Sequence, residues 1–171
     1  MISRLLSIGV LISAMTIVGP GCNRRPDKER YEPLYRAGKQ MHEAVSVGVT
    51  LPRYRELLQT LATEIEIAND KARTQVEKNL VVGYRDALQT YQNAETAWAI
   101  KLKLTTATSV NMHQLPEIHN VIAFYEFERL TEGENVDLDS IMKALWIAAE
   151  EDLAIAEARY NGTPEPARQT P

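Results

Sequence analysis

A chain of 171 residues, 44% apolar and 25% charged, is long enough for one domain with a core and too short for two. Aromatic residues make up only 6%, and Ala, Leu, Ile and Val carry the apolar content, which favours helices packed on helices over a sandwich of sheets. A net charge of -4, with no basic stripe after the first thirty residues, argues against nucleic acid as a partner.

The chain opens with Met1 to Arg4, one basic residue, and continues with Leu5 to Val18, which carries no charge. That stretch has the length of an export signal and is too short to span a bilayer comfortably. Gly19, Pro20, Gly21 and Cys22 follow, and Cys22 is the only cysteine. A buried thiol is a poor reading, because Asn23 to Arg30 offers no apolar neighbours to cover it, and a lone cysteine cannot close a disulfide within the chain.

The apolar run ending in Gly21-Cys22 resembles the signal sequence and lipobox of bacterial lipoproteins. The resemblance spans the first 22 residues. It implies cleavage before Cys22, a diacylglycerol on its sulfur and an acyl chain on its new amino group; no other cofactor is expected. It further implies a cell-envelope location. Asn23 after the cysteine points to the periplasmic face of the outer membrane in a bacterium with two membranes. On this reading residues 1–21 are a signal peptide, 22–32 a lipidated tether, 33–162 the folded domain and 163–171 a disordered tail. From Cys22 onward 18 basic residues face 23 acidic ones, a net charge of -5. Arg24, Arg25, Lys28 and Arg30 add attraction to anionic headgroups, which Asp27 and Glu29 dilute.

Pro33 is suited to a first helical turn, and Leu34, Tyr35, Gly38, Met41, His42 and Val45 then recur at steps of three and four, predicting a helix that stops near Gly48. A second helix is predicted from Pro52, with Tyr54, Leu57, Leu58, Leu61, Ile65, Ala68 and Ala72 on one face. A third face runs through Val76, Leu80, Tyr84, Ala87, Leu88, Tyr91, Ala94, Trp98 and Leu102. With no Gly or Pro between Arg53 and Val82, these two stripes suit either one long rod or a hairpin. Thr74-Gln75-Val76-Glu77 spells a capping box, which favours a turn between helices over residues 52–72 and 74–104.

Residues 105–116, TTATSVNMHQLP, lack a period and read as a connection. Pro116 opens a shorter predicted helix through Ile118, Val121, Ile122, Tyr125 and Leu130, though VIAFYEF also suits a strand. The last helix is capped by Asp137 or Asp139, lined by Leu138, Met142, Leu145, Ala149, Leu153, Ala156 and Tyr160, and stopped by Asn161-Gly162 and Pro164. The expected fold is all-α, an antiparallel up-and-down bundle of four to five helices on a flexible N-terminal tether.

Catalytic signatures are missing: there is no phosphate-binding glycine loop, no Gly-x-Ser-x-Gly and no His-Glu-x-x-His. His113 and His119 are weak metal candidates, six residues apart across Pro116. Asn135, Asp137 and Asp139 alternate like the start of a calcium loop, but Ser140 and Trp146 stand where its glycine and glutamate belong, and helix capping accounts for the aspartates. Tyr31, Tyr35 and Tyr54, with Arg30, Arg36, Arg53 and Arg55, gather around the first two predicted helix starts. Tyr and Arg carry much interface energy, which makes Tyr31, Tyr35, Arg36, Tyr54 and Arg55 the candidate contacts for an envelope protein partner. The expected function is a non-enzymatic, membrane-anchored envelope lipoprotein with a helical interaction or scaffold domain. The alternative is a small-molecule or metal sensor with a pocket near His113 and His119.

Overall fold

Five helices dominate the computed structural model, which describes residues 25–104, 109–111, 116–125, 131–133 and 135–167. Cys22 and His113 therefore lie outside the described residues. The fold is all-α, as composition and periodicity predict.

Helix α1 (Lys28–Val47) starts where the Asp27 carboxylate accepts the Arg30 amide, five residues ahead of the expected start at Pro33. The expected tether of residues 22–32 is therefore shorter, because residues 28–32 are already helical. Pro33, inside the helix, gives up the hydrogen bond its missing N–H would make one turn back, and its ring crowds the carbonyl at that position. Continuing the helix backward buries Tyr31 to 1% exposure, a gain of a few kcal/mol that offsets that loss. Gly48 ends α1 at φ 93°, a conformation only glycine adopts without strain.

Helix α2 (Leu51–Lys71) carries Pro52 in its first turn, and its predicted stripe from Tyr54 to Ala68 is buried. Helix α3 (Gln75–Leu104) begins after a turn at residues 72–74. The capping box therefore prevails over the continuous stripe, and the two helices form a hairpin rather than a rod. Glu77 accepts the amides of Thr74 and Arg73, both at 2.9 Å, while its own amide donates to Thr74 Oγ1 at 3.2 Å.

Helix α4 (Pro116–Tyr125) buries Ile118, Val121 and Ile122; Leu130, expected on the same face, lies outside the described residues. Three short strands surround it in sequence: β1 (Ser109–Asn111), β2 (Thr131–Glu132) and β3 (Asn135–Asp137). They form an antiparallel sheet in the order β1-β3-β2, with Val136 opposite both Val110 and Thr131. Sequence periodicity does not reveal this sheet, of which only β1 falls in the expected connection, since its strands span two or three residues. Helix α5 (Leu138–Asn161) follows β3 directly, capped by Asp137, which accepts the amides of Asp139 at 3.3 Å and Ser140 at 3.2 Å.

Contacts fix the directions. α2 opposes α3, since Tyr54 meets Tyr91 and Glu66 meets Arg85. α3 opposes α5 through Thr90–Asp152 and Asn79–Arg159. α1 opposes α5 through Glu32–Tyr160 and His42–Glu150. Small residues allow the close approaches: a Cβ on Gly83 would stand 3.1 Å from Ala156 Cβ, and one on Gly38 would meet the Tyr84 ring at 2.7 Å.

The core has two parts. The larger fills the space among α1, α2, α3 and α5, with Tyr54, Tyr84, Tyr91, Leu61 and Leu80 fully buried. The smaller sits under α4 and β3, around Ile118, Val136, Leu138, Ile141 and Leu145. Trp98 packs against both parts. It was expected in the core, yet it is only half-buried, its ring edge-on to Tyr54 and Trp146 with centroids 5.7 and 5.9 Å away. One turn further on, Leu102 has left the core and is 54% exposed.

Candidate functional site

The start of α1, the α2–α3 turn and the end of α5 meet at one end of the bundle, the end from which the chain continues back toward Cys22. Glu77 organises it. Its side chain is 8% exposed, and besides the turn amides it accepts Arg30 Nη1 at 3.2 Å, fastening α1 to the turn. Burial alone would raise the Glu77 pKa, but the Thr74 and Arg73 amides, the Thr74 hydroxyl and the Arg30 charge outweigh it and hold the carboxyl below its ordinary value.

The end of α5 is tied in as well. Gly162, at φ 65°, closes the helix in the left-handed region, and the Thr163 amide donates to the Ala158 carbonyl at 2.9 Å. Tyr160 stacks on Tyr35, rings 4.6 Å apart and 7° from parallel, and its hydroxyl donates to Glu32. Burial and the Glu32 carboxylate push the Tyr160 phenol up to about 12. Lys28 Nζ donates to Asn161 Oδ1 at 3.0 Å and stands 5.3 Å from the centre of the Tyr160 ring. The expected disordered tail is anchored at its beginning: Arg159 pairs with Glu165 at 2.9 Å and donates to the Asn79 carbonyl at 2.8 Å. Arg25, whose stem lies against Gly162, completes a crevice of about 480 Å³ with Val76, Asn79, Arg159 and Glu165.

Charge at this end differs from that of the chain. Residues 25–30, 70–79 and 159–165 hold seven cationic and five acidic side chains, whereas the whole chain has 19 against 23. Three of the five acids are engaged: Asp27 and Glu77 by Arg30, Glu165 by Arg159. Arg25, Lys71, Arg73 and Lys78 are exposed and make no ion pair among the described residues.

The residues expected to form one partner surface are not brought together. Tyr31 and Tyr54 are core side chains, 1% and 0% exposed, and cannot meet a partner. Tyr54 donates its hydroxyl to the Tyr91 carbonyl at 2.9 Å. Because α1 and α2 form a hairpin, their starts lie at opposite ends of the bundle: Tyr35 and Arg36 sit near Tyr160, whereas Arg55 pairs with Glu95 at 2.7 Å. Arg36 pairs with Glu32 within its own helix at 2.8 Å. Proximity in sequence was mistaken for proximity in space. The cations at the α2–α3 turn were missed, although Lys71, Arg73 and Lys78 frame the capping box that the sequence displays.

Of the metal candidates, His119 is exposed on α4. Among the described residues no three His, Cys, Asp or Glu side chains converge as a metal site, and no helix is long and apolar enough to cross a membrane. Asp137 serves as a helix cap, and Asp139 pairs with Lys101. On the α1–α5 side, His42 faces Glu150 at 3.7 Å, and Glu157 carries a raised pKa because burial outweighs the attraction of His42 and Lys39. The chain matches no family model, no curated protein and no solved structure.

Proposed function

We propose that this protein is a lipid-anchored envelope protein whose helical domain works as a non-enzymatic contact or scaffold module at the membrane surface. The observation that carries this reading is the uncharged run Leu5–Val18 followed by Gly21-Cys22, with only five residues between the cysteine and the first helical residue, Lys28. Five extended residues reach at most about 17 Å, so an acylated Cys22 holds the domain close to the headgroups. Acyl chains contribute about 0.8 kcal/mol per buried methylene, so three of them hold the protein far more firmly than one. A bundle whose middle is occupied by buried Tyr54, Tyr84 and Tyr91 supports a role for its surface rather than an interior pocket.

Mass spectrometry of the protein isolated from its native membrane tests the reading. The expected amino-terminal peptide starts at Cys22 and carries a diacylglycerol and an acyl chain, and Cys22→Ser abolishes both. A free thiol in a chain that retains residues 1–21 would overturn it.

A further inference from the structure

We propose that the end of the bundle bearing Arg25, Lys28, Lys71, Arg73 and Lys78 rests on an anionic lipid surface, so that the helices stand along the membrane normal. This rests on the anchored reading above and adds an orientation to it.

Two independent features coincide at that end. The chain leaves it toward Cys22, so whatever holds the cysteine approaches this face first. The face also concentrates cations in a chain that is acidic as a whole, and it does so from three separate places: the segment before α1, the α2–α3 turn and the first turn of α3. The ion pairs of Arg30 with Asp27 and Glu77, and of Arg159 with Glu165, engage most of the nearby acids, leaving Glu29 and Asp70 against the five cations. Each lysine or arginine near an anionic leaflet adds attraction that acts within a Debye length of about 10 Å at 0.1 M salt. From Cys22 onward the rest of the chain holds 11 cationic against 18 acidic side chains, so the cationic excess is confined to this face. Attraction confined to one end orients the bundle, which an anchor alone does not.

Geometry supplies a second consequence. Trp98 lies twenty residues along α3 from Lys78, about 30 Å at 1.5 Å per residue, so an upright bundle keeps its indole out of reach of the bilayer. A bundle lying on its side does not.

The test uses the processed, acylated chain in vesicles of phosphatidylcholine or of an equal mixture of phosphatidylcholine and phosphatidylglycerol. Sedimentation with phosphatidylcholine vesicles reports the anchor alone. Amide hydrogen exchange at residues 70–79 reports the face: it is expected to slow severalfold in the mixed vesicles, to recover at 1 M salt, and to show no dependence on lipid composition in a Lys71→Gln, Arg73→Gln, Lys78→Gln variant that still sediments. Trp98 and Trp146 fluorescence is expected to stay unquenched by brominated acyl chains. Failure to sediment with phosphatidylcholine vesicles overturns the anchor and this inference with it. Sedimentation with identical exchange in both vesicle types, or tryptophan quenching in the mixed ones, overturns the inference alone.

Discussion

Thr74 and Glu77 cap each other: the Glu77 amide donates to Thr74 Oγ1, and the Thr74 amide donates to Glu77 Oε2. This reciprocal pair decides the topology, because it ends what would otherwise be a continuous apolar stripe from Tyr54 to Trp98. It also leaves a carboxylate 8% exposed, and Glu77 is tolerated there because two amides, a hydroxyl and Arg30 converge on it.

Replacing the box should therefore loosen the turn. Thr74→Ala is expected to cost about 1 kcal/mol as a lost cap. Glu77→Gln is expected to cost about 2 kcal/mol, since the bonds to the two turn amides lose their charge assistance. The Arg30 share of that is small, because its side chain is 42% exposed. The folded-state pKa of Glu77 lies below its unfolded value of about 4.3, so its contribution is complete above that pH and disappears as pH falls through the folded value. Urea unfolding from neutral to acidic pH checks both points: the gap between wild type and Glu77→Gln should narrow with acid.

Gly38 leaves room on α1 for the Tyr84 ring of α3 and the Leu153 side chain of α5. An added methyl would stand 2.7 Å from Tyr84 Cε1 and 2.9 Å from Leu153 Cδ1, both fixed in the core. Alanine gains about 1 kcal/mol of helix propensity over glycine, but overpacking of this kind costs more. Gly38→Ala is expected to destabilise the fold by about 1 to 2 kcal/mol net. Combining it with Tyr84→Leu, which removes the ring, should recover part of the loss in thermal unfolding, a non-additivity that marks direct contact.

Two buried tyrosines separate a useful hydroxyl from a costly one. Tyr54 donates to the Tyr91 carbonyl at 2.9 Å, whereas the buried Tyr84 hydroxyl has no hydrogen-bond partner among the described residues. Tyr54→Phe should cost about 1 kcal/mol, while Tyr84→Phe should be neutral or stabilise by up to about 1 kcal/mol, because it removes a desolvated polar group at almost no change in volume. Equal losses in both variants, measured by urea unfolding, would show that the Tyr84 hydroxyl has a partner after all.

What could be read from the residues was local. The α5 cap at Asp137, its stop at Asn161-Gly162, the capping box and the stripes of α2 and α5 are all short-range patterns, and each is present in the structure. The start of α1 was misplaced because Pro33 is a strong local signal, whereas Tyr31 gains its burial from chain far away in sequence. The sheet was missed for the same reason: β1 pairs with β3 across more than twenty residues, through segments too short to show a period. The supposed tyrosine–arginine cluster failed because no local pattern states that a hairpin carries its two helix starts to opposite ends. The cationic end was partly visible in Arg25, Lys28 and Arg30, but Lys71, Arg73 and Lys78 join it only through the turn that Glu77 fastens to α1.

Glu157 offers the opposite pH dependence to Glu77. It faces Lys39 and His42 from α1 and lies near Tyr84 and Tyr91 of α3, and burial raises its pKa more than these two α1 neighbours lower it. A carboxyl with a folded pKa above its unfolded value binds its proton better in the folded state, so its ionised form weakens the fold at neutral pH, and the cost fades as pH falls through the folded value. Glu157→Gln is therefore expected to raise the melting temperature at neutral pH and to match wild type in acid. In a Lys39→Met background, which removes one compensating charge, the same substitution should stabilise more. If Glu157→Gln instead lowered the melting temperature at neutral pH, the carboxylate would be a net attractive partner of Lys39 and His42, and the desolvation account of this side of the bundle would fail.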